Sequence, residues 1–229
     1  MTITAGKNEG KFHLPCFLYL FLRNMEKFHE NQIYHVFNQG NNRQVIFREH
    51  ENYLFFLRKV RKYLIPYCDF LCYCLMPNHF HFLIVPNRLG RLEYMSRSPV
   101  SETKSSNHTQ NLSYSLGLLL SSYAKAYNKR YERSGSLFRQ KTKVKDGWID
   151  QVITVDGKNR DMFFRFENDY ALQCFHYIHK NPVKANLVKK ATDWEYSSAR
   201  DYHGLRNGTL CNKDLADEIF GLQNLIING

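Results

Sequence analysis

No CxxC pair occurs among the six cysteines (16, 68, 72, 74, 174 and 211) of this 229-residue chain. That absence argues against a zinc ribbon or a disulfide framework and fits a reducing cytoplasm. No apolar run is long enough to span a bilayer. The nearest, 14–22, is followed by Arg23 and Asn24 rather than by the small residues of a leader-peptide cleavage site. A Walker-type GxxxxGK(S/T) run is also missing, as is any internal repeat. Acidic residues are scarce: Asp+Glu number 21 against 32 Lys+Arg, giving a net charge of +11 and a pI near 9.3. Such an excess suits a polyanionic partner, nucleic acid before an acidic membrane.

What remains is a chain built to fold. Hydrophobic residues make up 43% and aromatics 15% of it, enough for one domain with a real core. Residues 1–24 are expected to form an extension outside the fold, and Met25 opens ordinary composition. Strands are expected at 33–37, 70–75 and 80–85, the last two joined as a hairpin by the "MPN" turn at 76–78. Tyr53, Leu54, Leu57, Val60 and Leu64 recur at helical spacing over 50–63, and a second helix is expected over 112–133. The Ser-rich stretch 96–111 reads as a mobile loop, 135–145 as a basic extended segment, and 146–166 as an insertion holding a hairpin with arms at 152–155 and 162–164. Residues 166–179 form a further helix, stopped by Pro182, and 204–229 a C-terminal tail beyond a domain spanning 25–203. Cys72 and Cys74 share a strand face as buried thiols. The element order implies an α+β fold, most simply a ferredoxin-like antiparallel sheet with helices on one face.

Two stretches carry chemistry. Side chains alternate along a strand, so in "HFHF" (79–82) His79 and His81 share one face and Phe80 and Phe82 the other. Such a pair can hold a divalent cation, or it can be satisfied by hydrogen bonds on a half-exposed sheet. In "FHYIHKNPVKANLV" (175–188), Tyr177 and Asn181 are four apart and share a helical face. Asn181 offers a hard carbonyl ligand for Mg2+ or Mn2+, and Tyr177 a phenol able to attack phosphorus. Equally, a helical tyrosine can be amphipathic packing and an asparagine before proline a helix terminator.

Taken together, the two stretches resemble the REP-associated tyrosine transposases, within the HUH endonuclease type of single-tyrosine transposases. "YHVFNQGNNRQVIF" (34–47), "MPNHFHFLIVP" (76–86), "GSLFRQKTKVK" (135–145), "YIHKNPVKANLV" (177–188) and "DWEYSS" (193–198) are similar, in order, to that family's segments. Gln39 stands where the family often has an arginine, and the segment between Lys145 and Asn168 is longer than its usual connection. The resemblance implies a strand transferase acting on single-stranded or hairpin DNA, as a monomer or homodimer. Tyr177 would be the nucleophile, forming a 5′-phosphotyrosine; His79, His81 and Asn181 would hold Mg2+ or Mn2+. Tyr170 is the reserve nucleophile.

A free phenol ionises only near pH of about 10, so a tyrosine nucleophile needs help, for which the metal, Lys180, Lys184 and His176 are candidates. Arg43, Lys125, Lys129, Arg130, Arg139, Lys141, Lys143, Lys145, Lys180 and Lys184 form the expected phosphate-binding set. Phe138 and Trp148 are candidates to stack unpaired bases. The alternatives are a non-catalytic binding protein for structured DNA or RNA, and a small-molecule metalloenzyme using the two histidines.

Overall fold

The computed structural model describes residues 27–95, 109–140, 142–146 and 160–222. The expectations for 1–24, for most of 96–111 and for Lys141, Trp148 and the first hairpin arm fall outside the described residues. In chain order, β1 (Tyr34–Gln39) leads into α1 (His50–Tyr63), then β2 (Cys68–Met76), β3 (His79–Pro86) and α2 (Asn111–Arg130). A short β4 (Lys143–Asp146), α3 (Arg160–Lys184) and α4 (Lys213–Phe220) follow. The strands form one antiparallel sheet in the order β2-β3-β1-β4. The fold is therefore α+β. Among the described residues no helix is long and apolar enough to cross a membrane.

Alternation along the strands divides the molecule into two cores. Tyr34 and Val36 of β1, Phe70, Tyr73 and Leu75 of β2, and Phe80, Phe82 and Ile84 of β3 point to one face. There α1 and α2 cover them with Tyr53, Phe56, Val60, Leu116, Leu119, Leu120 and Tyr123. Phe56 is fully buried and meets Phe47, Phe80, Phe82, Tyr123 and Phe138 at ring separations between 4.9 and 6.5 Å. A fully buried aromatic of this kind contributes about 1.5–3 kcal/mol of transfer free energy.

The opposite face is not bare, and the expectation of helices on one face is corrected here. Leu71, Cys72, Cys74 and Met76 of β2 with Leu83 and Val85 of β3 are covered by Ala171, Cys174, Phe175 and Ile178 of α3 and by Ala216 and Phe220 of α4. The chain achieves two-sided burial in β2 with a register shift between Phe70 and Cys72. The shift turns both Leu71 and Cys72 to the α3 face, widening the apolar area there. Cys72 and Cys74 are indeed buried free thiols.

Two further expectations change. The second arm of the inserted hairpin, at 162–164, is part of α3. Pro182 does not stop α3, which runs on to Lys184. The stop is four residues later: Asn186 takes a left-handed φ of 55°, Leu187 N–H donates to Pro182 C=O at 2.9 Å and Asn186 N–H to Val183 C=O at 2.9 Å. This pattern satisfies the last helical carbonyls. Pro182 lacks an N–H to give but sits close enough to the end that the helix tolerates it.

The outer edge of β2 is covered by the segment containing "DWEYSS". Leu75 N–H donates to Tyr196 C=O at 2.9 Å, the Trp194 indole N–H to Leu75 C=O at 2.9 Å and Ser198 N–H to Tyr73 C=O at 3.0 Å. An edge strand that would otherwise offer free backbone groups is thus closed. The fully buried Ser198 hydroxyl also accepts from Tyr73 N–H at 2.9 Å and pairs with His179 Nε2 at 2.8 Å, tying α3 to β2. Ser198→Ala should leave both a backbone N–H and a buried imidazole unsatisfied. The expected loss is about 2 kcal/mol of stability, read as a lower urea midpoint at unchanged slope; an unchanged midpoint would contradict the tie.

Candidate active site

The two-residue turn Pro77–Asn78 launches β3 with His79 at its first position. Asn78 is itself held, since its side-chain N–H donates to Arg43 C=O at 3.3 Å. That bond leaves Asn78 Oδ1 facing His79 Nδ1 at 2.6 Å. A carbonyl oxygen only accepts, so His79 Nδ1 carries the proton and its Nε2 keeps a lone pair. Gly40 permits this packing of turns: its N–H donates to Asn78 C=O at 2.8 Å, and a Cβ there would lie 2.2 Å from Gln44 C=O. A side chain at position 40 would force that backbone apart.

Two residues on, His81 is 5% exposed. Its Nδ1 lies 2.9 Å from Nε2 of His35, a third imidazole from β1. His35 was assigned no role by the sequence, although its place two before Phe37 on β1 puts it on the face shared with His79 and His81. Burial lowers the pKa of His79; burial, then His35 and His79, holds His81 well below the ordinary imidazole value. Both rings are neutral at pH 7. Phe37 packs beside His35 and His81 at ring separations of 4.8 and 5.6 Å.

Tyr177 reaches this cluster from α3. The core side of that helix, Ala171, Cys174, Phe175 and Ile178, seats it on β2 and β3, which brings the Tyr177 ring to the rim of that contact. Its centroid is 5.8 Å from that of His81 and 6.4 Å from that of His35, edge-on to both, with the side chain 41% exposed. Lys184, seven residues along the same helix, sets its ammonium 4.6 Å above the Tyr177 ring. Because α3 stays helical past Pro182, Asn181 remains on the Tyr177 side. Asn181 is 7% exposed, and its side-chain nitrogen has no hydrogen-bond partner among the described residues.

The other sequence candidates divide by layer. Lys143 stands opposite Phe37 in the register with its ammonium 5.9 Å over that ring, and Lys145 stands opposite His35. Lys180 is exposed on α3. Arg43 and Arg139 are exposed on the turns beside Gly40, where Arg139 N–H donates to Gln39 C=O at 2.9 Å. Lys125, Lys129 and Arg130 lie on α2, across the sheet from the histidines, and Arg130 is paired with Glu49 at 2.7 Å. Phe138 is 2% exposed within the first core, which removes it as a base-stacking platform. Tyr170 is half-buried against the second core. His179 is buried with a pKa lowered to about 3, and His176 is exposed on the same helix.

The donors present suit a hard divalent cation in one specific way. Among the described residues no three His, Cys, Asp or Glu side chains converge to hold a metal. A resident ion would take two imidazole nitrogens and an amide oxygen, with water or substrate completing its shell. The fit rests on the Asn181 side-chain nitrogen, unpartnered among the described residues and exchangeable with its oxygen by a half-turn of the side chain, and on the His79 tautomer, which leaves Nε2 free.

No family model matches the chain and no curated protein matches it. Among solved structures, a REP-associated tyrosine transposase bound to a REP hairpin is similar, at 14% identity and a TM-score of 0.43, over 80% of this chain and 86% of that one. That likeness is too distant to assign chemistry, which rests on the side chains themselves.

An orphaned buried amide costs a fold about 1–3 kcal/mol. Asn181→Leu should therefore raise the stability of the protein by about 1 kcal/mol. Calorimetric melting checks it, and a clear loss of stability would mean that the amide is satisfied after all.

Proposed function

We propose that this chain is a metal-dependent endonuclease and strand transferase for single-stranded or hairpin DNA, with Tyr177 as its nucleophile. The observation that carries the reading is the approach of an exposed tyrosine ring to 5.8 Å from His81, with a buried side-chain nitrogen, unpartnered among the described residues, one helical turn along at Asn181. Packing alone gives no reason for a half-exposed phenol to stand edge-on to a buried imidazole pair with a lysine ammonium above its ring. The motif resemblance points to Tyr177, His79, His81 and Asn181. We read the element order β-α-β-β-α-β, with the sheet order β2-β3-β1-β4, as a ferredoxin-like arrangement that carries a further long helix on its second face.

His79, His81 and Asn181 would hold Mg2+ or Mn2+. Such an ion, when bound, supplies Lewis-acid withdrawal of charge from a phosphate. The chain's own groups do the rest. The Tyr177 oxygen forms a bond to phosphorus, the bond from phosphorus to the 3′-oxygen breaks, and the phenolic proton is balanced by the proton gained by the leaving 3′-hydroxyl. Lys184, whose ammonium lies 4.6 Å above the Tyr177 ring, would pair with the phosphate. The phosphotyrosine keeps the energy of the broken bond, so attack by another 3′-hydroxyl reverses the step without a nucleotide triphosphate. Lys143, Lys180, Arg43 and Arg139 are exposed on the elements that bear the site and would carry the strand's phosphates.

Tyr177→Phe removes one oxygen from an exposed ring and should leave the fold and DNA affinity intact. On hairpin-flanked single strands with Mn2+, cleavage should fall below detection while gel-shift binding stays within about twofold. Cleavage surviving in the variant would exclude the assignment. Binding without any cleavage by the unaltered protein would favour a non-catalytic binder of structured nucleic acid instead.

A further inference from the structure

Of the three imidazoles on this face, His35 is the one that the proposed reaction does not employ. We propose that His35 is a positioning residue that accepts a hydrogen bond from Nδ1–H of His81 and so fixes His81 in the tautomer whose Nε2 lone pair is free. The inference deepens the reading of the site as a cation site and rests on it.

Register places His35 where it can act. β1 and β3 run antiparallel with Phe37 opposite His81 and His35 opposite Leu83, so His35 and His81 are diagonal neighbours on one face. Their rings lie within 28° of parallel with centroids 5.1 Å apart, and His35 Nε2 is 2.9 Å from His81 Nδ1. Both side chains are buried, at 6% and 5% exposure, so bulk water does not compete for this bond. Exactly one proton lies between the two nitrogens of a neutral pair, and two arrangements exist.

If His35 donated, His81 would carry its own proton on Nε2 and have no lone pair left for a cation. If His81 donates, Nε2 is free. His79 shows which arrangement its neighbour matches: the Asn78 oxygen holds it in the Nδ1–H form. Among the described residues neither His79 nor His81 makes a hydrogen bond through Nε2. With His81 as donor the two rings offer matched lone pairs, each locked from behind by a different element, β1 for His81 and the Pro77–Asn78 turn for His79. A partner behind a ligating imidazole fixes its tautomer, aims its ring and raises its basicity. His35 also borders the nucleophile, its ring centroid 6.4 Å from that of Tyr177. Its loss would therefore disturb activity for more than one reason, and activity alone is a poor test.

The test uses the full chain, free of metal and DNA, with 15N-labelled histidines. Long-range proton–nitrogen correlation spectra report the tautomer of each ring. The unaltered protein should show His81 protonated on Nδ1 and bare on Nε2. His35→Phe, which keeps a ring but no acceptor, should shift His81 toward the Nε2–H form and weaken Mn2+ binding, by calorimetric titration, about ten- to a hundredfold. His35→Gln, whose amide oxygen can accept, should retain the tautomer and most of the affinity. His81 found as Nε2–H in the unaltered protein overturns the proposal even if His35→Phe fails to fold; so does His35→Phe with unchanged tautomer and affinity. The cleavage reading fails separately: an Nδ1–H His81 and tight Mn2+ binding in a protein that cuts no DNA would leave His35 in its role and remove the nuclease.

Discussion

Everything in this structure depends on the two-residue period of β3. In four consecutive residues it commits Phe80 and Phe82 to a dry aromatic core under α1 and α2, and His79 and His81 to the face covered by α3. A slip of one residue in pairing would exchange the two sets, burying imidazoles among Phe56, Phe70 and Phe138 and exposing phenylalanines. The register is guarded on both sides, by β1 through six paired positions and by β2 through a two-residue turn. The same aromatic contacts that stabilise the first core therefore hold the histidines in place on the other side of the sheet.

The second face is a compromise between burial and chemistry. Where α3 and α4 lie over β2, the contact is apolar and includes Leu71, Cys72, Phe175 and Ile178. Toward β1 the lining becomes His81, His35 and the rim of Tyr177. Neutral imidazoles suit such a border, since burial opposes their charging while a hydrogen bond from behind satisfies one nitrogen. The Asn181 side-chain nitrogen, left without a partner among the described residues, is a cost with no return in packing.

Much of this was legible in the sequence because it follows from spacing. The hairpin, α1 and α2, the shared face of His79 and His81, and the helical pairing of Tyr177 with Asn181 all come from periods of two or 3.6 residues. The misreadings have physical causes. Pro182 is a strong helix breaker in isolation, but near a terminus it removes only a bond that the last turn can spare, and the Asn186 cap ends the helix instead. A sheet covered on both faces follows from a β2 that is apolar on both sides of a register shift, which single-period counting does not detect. His35 was overlooked because its importance is a cross-strand diagonal, and register is a tertiary property. The layer on which each lysine or arginine falls is likewise set by packing: Lys125, Lys129 and Arg130 lie on α2, across the sheet from α3.

In the proposed reaction Tyr177 is the atom donor to phosphorus. Its most direct measurement is the covalent product itself: incubate the protein with Mn2+ and a hairpin-flanked single strand, trap the protein–DNA adduct, digest both partners, and sequence the nucleotide-bearing peptide by mass spectrometry. The modification is expected on the tyrosine of "FHYIHK" at position 177, joined through the 5′-phosphate. A nucleotide on Tyr170 or on any other side chain, or cleavage with no adduct at all, would contradict it.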